Sequence, residues 1–305
     1  MKPPRRLPAA SRRQWLKLAA TTALLPALPL AAAETPPLQL GVTDLSFHRA
    51  TAAVVVAVLT RLGYRVQRSY ALHEANFERL RNGDIDLLAS AWLPYSHGVY
   101  QNRVHEVVST RELGLHYQPY ALWGVPDYVP ADAVGSVADL LKPEVRQRMT
   151  PLIQGIGPGA GITRFSLRMM DEYGLSAAGY RFQTGTQQQC FDAFEQAVAA
   201  QRWVVVPLWH PQFLHARYRI RELQDPKGLL GGTDRAVLLA RSDRLSRLTP
   251  AHLQVLDNIR LDNRIVAALD YAINREGQSE DQAAEAWLAA HPDTLAGWLR
   301  PTLGS

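Results

Sequence analysis

Residues 38–70 read LQLGVTDLSFHRATAAVVVAVLTRLGYRVQRSY, and the fold follows from the change of period along them. Leu38 to Val42 is a short apolar run of strand length. A loop is expected around Asp44 to His48, then a helix from Ala50 to Leu62, where apolar residues dominate and Gly63 stops the turn. Tyr64 to Tyr70 alternates as a second strand should, so the stretch is a β-loop-α-β unit. Working outward, Phe77 to Arg81 is helical, Gly83 breaks it, and Asp86 to Ala91 is another strand delivering Trp92 at its end. Strands alternating with helices predict an α/β fold whose ligands sit beyond the carboxyl ends of the strands, which is where Trp92 falls.

Further along, Tyr120 to Val125 is a strand followed by Pro126 and Pro130, a crossing into a second lobe. Short helices are expected at Val137 to Leu141 and Pro143 to Met149. The glycine-rich stretch Gln154 to Gly161 then feeds a helix from Ile162 to Tyr173. Cys190 to Ala200 is helical, and Val204 to Leu208 is a buried strand ending at Trp209. After Gly231 and Gly232, Ala236 to Leu239 is a return strand. The tail from Pro250 to Leu299 is helical, with Trp287 and Trp298 on apolar faces. A chain of 305 residues that is 47% hydrophobic can build two lobes. The expected division is 34–122 with 234–305 as a discontinuous first lobe, and 123–233 as the second.

The N-terminus reads differently. Ser11, Arg12, Arg13, Gln14, Trp15, Leu16 and Lys17 precede an apolar run from Leu18 to Leu30, interrupted by Pro26 and Pro29 and ending in Ala31, Ala32 and Ala33. Such a run is too short to cross a bilayer core of ~30 Å comfortably. It matches a twin-arginine export signal over residues 1–33, with Glu34 opening the mature chain. No cysteine near the cleavage point could take lipid, so a periplasmic protein without a lipid anchor is expected. The leader holds six of the 33 basic residues and no acid, leaving 27 against 28 acidic ones. The positive charge belongs to the leader, and a nucleic-acid footprint is not supported. The single cysteine, Cys190, has no partner for an internal disulfide.

Three blocks carry a family likeness. Ser90-Ala91-Trp92-Leu93-Pro94-Tyr95-Ser96-His97-Gly98, Gly155 to Ile162, and the stretch Trp209, Pro211, Phe213, Tyr218, Asp225-Pro226-Lys227-Gly228 resemble, in order, motifs of glycine betaine/proline betaine receptors that serve ABC transporters. The resemblance implies a two-lobed α/β periplasmic binding protein of type II. Its cleft, between lobes joined by two crossings, would deliver a betaine to an ABC permease in the inner membrane. The chemistry is consistent: a quaternary ammonium has no N–H to donate, so a protein offers it aromatic faces. A carboxylate takes backbone N–H groups at a helix start. By motif position Trp92 and Trp209 match two rings of the family's aromatic cage. Gly161 and Ile162 match the backbone donors to the carboxylate, and His97 a side-chain donor. The third ring's position falls on Leu45, and the ring that other receptors of the group carry in the glycine loop is Ala160 here. Phe47, Tyr95, Tyr117 or Phe213 are candidates to replace it, and Asp44 could pair with a cation.

Choline, carnitine or a less methylated amine remain alternatives as ligand, and a sensory role remains an alternative to transport. An enzyme is disfavoured: no nucleophile elbow, dinucleotide fingerprint or phosphate loop is present, and His73, His97, His105 and His116 with Asp84 and Asp86 match no zinc spacing. No cofactor or metal is expected.

Overall fold

In the computed structural model, residues 36–300 are described; the expected export signal, residues 1–33, lies outside them. The first sheet has the order β2-β1-β3-β10-β4. Strands β1 (Leu38–Thr43), β2 (Val66–Ala71) and β3 (Leu87–Leu93) are parallel to one another, while β4 (Thr110–Leu113) and β10 (Arg235–Arg241) run antiparallel to their neighbours. All seven residues of β3 are buried, as a central strand covered on both faces requires. Helix α1 (Ser46–Arg61) packs over one face beneath α9 (Asn263–Arg275) and α10 (Glu280–Ala290). Its sequence is accordingly apolar all round, with Ala52, Ala53, Val54 and Val55 buried in succession. Gly63 at φ 87° ends it: Gly63 N–H bonds Thr60 O at 3.0 Å and Tyr64 N–H bonds Leu59 O at 3.0 Å, a Schellman stop. Helices α2 (His73–Asn82) and α3 (Gly98–His105) cover the opposite face with a second apolar cluster around Phe77, Leu80 and Leu88.

Helix α1 starts at Ser46, four residues before the expected Ala50. Leu45 is its N-cap and gives no side-chain cap, so the usual start signal is missing. Phe47 and His48 are therefore fixed in a first helical turn instead of a loop.

One irregularity in β3 decides where Trp92 points. Against β10, Val237 faces Ala91 and Leu238 faces Ala89, leaving Ser90 as an extra residue, a β-bulge. Before it Leu87 and Ala89 face the cluster that contains α1, and Leu88 the one under α2 and α3. After it Ala91 and Leu93 join Leu88, and Trp92 turns to the α1 side. Strict alternation would have sent Trp92 the other way.

The second sheet joins β5 (Tyr120–Pro126) to β8 (Val206–His210) and β9 (Ile220–Glu222), all antiparallel; β6 (Leu152–Gln154) and β7 (Arg181–Gln183) form a parallel pair. Around them lie α4 (Pro143–Arg146), α5 (Gly161–Glu172), α6 (Gln187–Ala199) and α7 (Leu214–Arg217). The tail returns as α8 (Pro250–Asn258), α9, α10 and α11 (Pro292–Leu299), with Trp287 and Trp298 stacked at 5.9 Å. No helix of the described residues is long and apolar enough to cross a membrane. The chain passes between the sheets at 114–119 and again before β10. The two passages are tied by Asp234 N–H to Pro119 O at 2.8 Å and Ala236 N–H to Tyr117 O at 2.9 Å. Leu115 and His116 there have φ of 68° and 52°, uncommon for residues with a Cβ.

Contacts between the two sheets' helices close the molecule. Gln187 Nε2 donates to Ser46 Oγ at 2.7 Å, Arg275 pairs with Glu195 at 2.5 Å, and Phe213 N–H donates to the buried carboxylate of Asp270 at 2.9 Å. Desolvation pushes the Asp270 carboxyl up to about 6, against hydrogen bonds that favour its charge. A raised carboxyl binds its proton more tightly folded than unfolded. Its contribution is full below pH ~4 and is lost as pH rises to ~6, by roughly 3 kcal/mol in all. The buried His48, His73 and His97 titrate in the opposite sense over the same range, so the decline is expected in the difference between wild type and Asp270→Asn, measured by urea unfolding at pH 4, 5, 6 and 7.

Candidate functional site

A cavity opens between the two sheets, lined by Leu45, Phe47, Trp92, Ala121 and Trp209 at one end, and by His73, Ser96, His97, Ala160, Gly161 and Ile162 at the other. It is narrow, with about 20 Å³ of water-accessible space, room for one water molecule.

Each tryptophan sits near the end of its strand, Trp92 on β3 and Trp209 on β8. Phe47, from the first turn of α1, lies against both, its ring centroid 5.2 Å from Trp92 and 5.4 Å from Trp209. Trp92 is also held from behind, its Nε1–H donating to Tyr117 Oη at 2.9 Å. Trp209 Nε1 is buried without a partner among the described residues, so its ring is placed by packing.

At the other end, Gly155 to Ala160 lead into α5, whose N-cap Ala160 supplies no side-chain cap. The first N–H groups of a helix lack intrahelical acceptors and sit at the positive end of its dipole. Gly161 allows the close approach: a Cβ there would lie 2.8 Å from Ser96 Cβ and 2.9 Å from Ser96 Cα. The Trp92–His97 loop is positioned by Asp234, which accepts from Tyr95 N–H at 2.6 Å and Ser96 N–H at 3.1 Å. His97 Nδ1 accepts from Trp92 N–H at 2.9 Å, so the neutral ring carries its hydrogen on Nε2 as a donor. Burial first, then neighbouring His73, His48 and Arg164, hold the His97 pKa well below its ordinary range. Opposite the loop, Arg164 Nη1 bonds Gly159 O at 2.9 Å and Arg164 Nη2 bonds Ser96 O, bracing α5 against it.

Trp92, Trp209, His97, Gly161, Ile162, Leu45 and Phe47 thus come together around one cavity. Asp44 and Tyr95 do not. The Asp44 carboxylate is taken by Arg49 on the surface, and Tyr95 is 48% exposed, its ring laid over Gly231 and Gly232. Tyr117 lies behind Trp92, and Phe213 packs on Phe191 at 4.9 Å; neither lines the cavity.

Among the polar residues considered as a metal set, only His73 and His97 meet, and His48 joins them: the three buried rings each offer a nitrogen within 4.8 Å of the others. His105 is bound to Thr110 Oγ1 at 2.8 Å and His116 to Asp257 O at 3.1 Å, elsewhere. His48 went unnoticed in sequence because the bulge that brings Ser90 and Trp92 to its side leaves no mark in composition. Its Nδ1 lies 2.8 Å from Ser90 Oγ, while its Nε2 is buried and unpaired, which costs about 1–3 kcal/mol.

Two lobes, two crossings and a cleft with aromatic rings at one end and a helix start at the other define a two-lobed solute receptor. The chain belongs to the family of substrate-binding domains of ABC-type glycine betaine transport systems, whose sequence profile matches residues 36–290. It is similar to the glycine betaine/carnitine transport binding protein GbuC of Listeria monocytogenes, at 26% identity over 157 residues; the match spans 52% of this chain and 52% of that relative. Among solved structures, lactococcal OpuAC in its closed, glycine betaine-bound form superposes with a TM-score of 0.76 at 22% identity, covering 87% of this chain and all of the other. The glycine betaine, L-proline-binding protein ProX of Borrelia burgdorferi gives 0.77 at 22% identity, over 87% and 97% of the two chains. A choline-binding protein of an ABC transporter, in complex with choline, gives 0.75 at 18%, over 86% and 91%. These likenesses show the two-lobed fold, as the sequence led one to expect.

Proposed function

We propose that this receptor captures glycine betaine, or a closely related quaternary amine, and hands it to an ABC permease of the inner membrane. The observation that supports this best is the polarity of this cavity: Trp92, Trp209 and Phe47 at one end, the start of α5 with the Nε2–H of His97 at the other. A zwitterion with a trimethylammonium head and a carboxylate fits that order, each ring contributing ~0.5–2 kcal/mol of cation–π attraction. Since the closed cavity holds about 20 Å³, the ligand enters with the lobes apart and they close over it. The bending segments are then 114–119 and the residues before β10, dividing the expected lobes 34–122 with 234–305 from 123–233. Glycine betaine and carnitine in the name of the Listeria relative, and glycine betaine and choline in the solved structures, mark the ligand range to test. Calorimetric titration of the mature protein with these three and with ordinary amino acids decides it: one site for a quaternary amine supports the reading, and preference for an ordinary amino acid overturns it.

The same reading makes the protein periplasmic, exported through its twin arginines and free of lipid. Arg12→Lys together with Arg13→Lys is expected to leave the precursor in the cytoplasm; normal periplasmic delivery of the double variant would refute that route.

A further inference from the structure

The cavity ends on His73, from the start of α2, and His97, from the loop after β3, with the fully buried His48 of α1 packed against them. Their ring centroids are 5.0 to 6.1 Å apart. Their hydrogen bonds have a direction. Trp92 Nε1–H is an obligate donor to Tyr117 Oη at 2.9 Å. Tyr117 Oη lies 2.7 Å from Ser90 Oγ, and Ser90 Oγ 2.8 Å from His48 Nδ1. The order that uses every hydrogen runs from Trp92 through Tyr117 and Ser90 to His48, leaving the His48 hydrogen on the unpaired Nε2. His97 likewise carries its hydrogen on Nε2. His73 forms no ring hydrogen bond among the described residues.

The charged groups around the cluster give it no counter-ion. From α5 it is faced by Arg164, whose charge adds to burial in depressing the pKa of His73 and His97. The nearby carboxylates are engaged elsewhere: Asp234 with Tyr95 and Ser96 N–H, Glu74 with Arg103 at 2.6 Å, Asp44 with Arg49. Of the remaining neighbours, Tyr117 is raised by burial and bonds Ser90 Oγ, and Tyr100 Oη donates to Gly159 O. Burial first keeps all three rings uncharged, helped by His73 beside His48 and His97 and by Arg164 beside His73 and His97; the His73 pKa falls to about 4. A metal ion fits poorly, because a bound metal needs the other imidazole nitrogen protonated. His97 Nδ1 already accepts from Trp92 N–H.

We propose that the His48–His73–His97 cluster takes up a proton as the cavity captures the anionic end of its ligand, His73 being the seat. The proposal rests on the receptor reading above and adds a proton to what that site binds. His97, on the cavity wall, gives the carboxylate its Nε2–H, and the ligand's charge raises the proton affinity of the His73 ring on the same wall. The bound state then holds a proton that the free state lacks. Affinity rises as pH falls, by at most tenfold per unit, between the bound-state and free-state pKa values, and is flat outside them.

The experiment is calorimetric titration of glycine betaine, and separately choline, into the mature protein from pH 5 to 8, in pairs of buffers differing in ionisation enthalpy. Proton uptake with glycine betaine and none with choline is expected, and His73→Gln is expected to bind glycine betaine with a Kd that no longer changes with pH. Glycine betaine binding without proton uptake anywhere in the range overturns the proposal, as does uptake unchanged in both His73→Gln and His48→Gln. Binding of choline alone overturns the proposal while leaving the receptor reading intact. Failure of every quaternary amine overturns that reading and the proposal with it. Zinc chloride bound one to one, and lost in His48→Gln, overturns the proposal in favour of a metal site.

Discussion

Trp209→Ala is expected to weaken glycine betaine binding by ~1–3 kcal/mol, about 5- to 150-fold, through lost cation–π attraction and lost burial of the ligand against the ring. Trp92→Ala is expected to do the same. Both rings are buried, at 2% and 6% exposure, so each change also costs ~3–5 kcal/mol of folding stability. Phenylalanine variants separate the two roles. Trp209→Phe removes an indole N–H that has no partner, whereas Trp92→Phe removes the bond to Tyr117, so Trp92→Phe is expected to be the less stable by ~1 kcal/mol. Thermal unfolding without ligand and titration with it, on all four variants, are the measurements. Unaltered affinity beside a large stability loss would mean that the rings are core and not cage.

Gly161→Ala is expected to lower affinity by a similar factor with the opposite signature in stability. The added Cβ would meet Ser96 at 2.8–2.9 Å, including its backbone Cα, so one lobe must draw back from the other. Overpacking of this kind costs ~1–3 kcal/mol. The cost falls on the closed state alone, because the lobes themselves have no clash and alanine is the better helix former. Unfolding without ligand should be unchanged while the Kd rises about 5- to 150-fold, and scattering at saturating ligand should show a larger particle than wild type. An unchanged Kd would show that Ser96 yields without cost and that closure does not depend on this contact.

How much of this was legible in the sequence divides along physical lines. Four strands of the first sheet were readable, because β1, β2, β3 and β10 are apolar runs or alternations, and Gly63 and Gly83 end helices where φ is positive; β4, four residues with Arg111 and Glu112 among them, carries no such pattern. The ends of the cavity were readable too, because Trp92, Trp209 and the glycine loop carry family motifs. What escaped is long-range or irregular. Leu45 caps α1 without a polar side chain, so the helix start was misplaced and His48 overlooked. Asp44 was a plausible counter-charge until the structure gave it to Arg49, and Tyr95 a plausible ring until it lay over Gly232. The pairing of β6 with β7 joins segments about 30 residues apart by three-residue strands, too short to leave a period.

The bulge at Ser90 has a bearing on how such receptors change their diet. Trp92 is aimed by an extra residue in the ladder against β10, which belongs to the backbone, and not by the identity of the side chains beside it. Leu45, Phe47 and Ala160 can therefore be exchanged one at a time without turning that indole away. Ligand preference can drift through those three positions while the anchoring ring stays in place. Deleting the extra residue itself would restore regular alternation with Trp92 still on the face of Leu87 and Ala89, so even that change leaves the ring at the cavity. In this lineage novelty should accumulate around the ring and seldom at it.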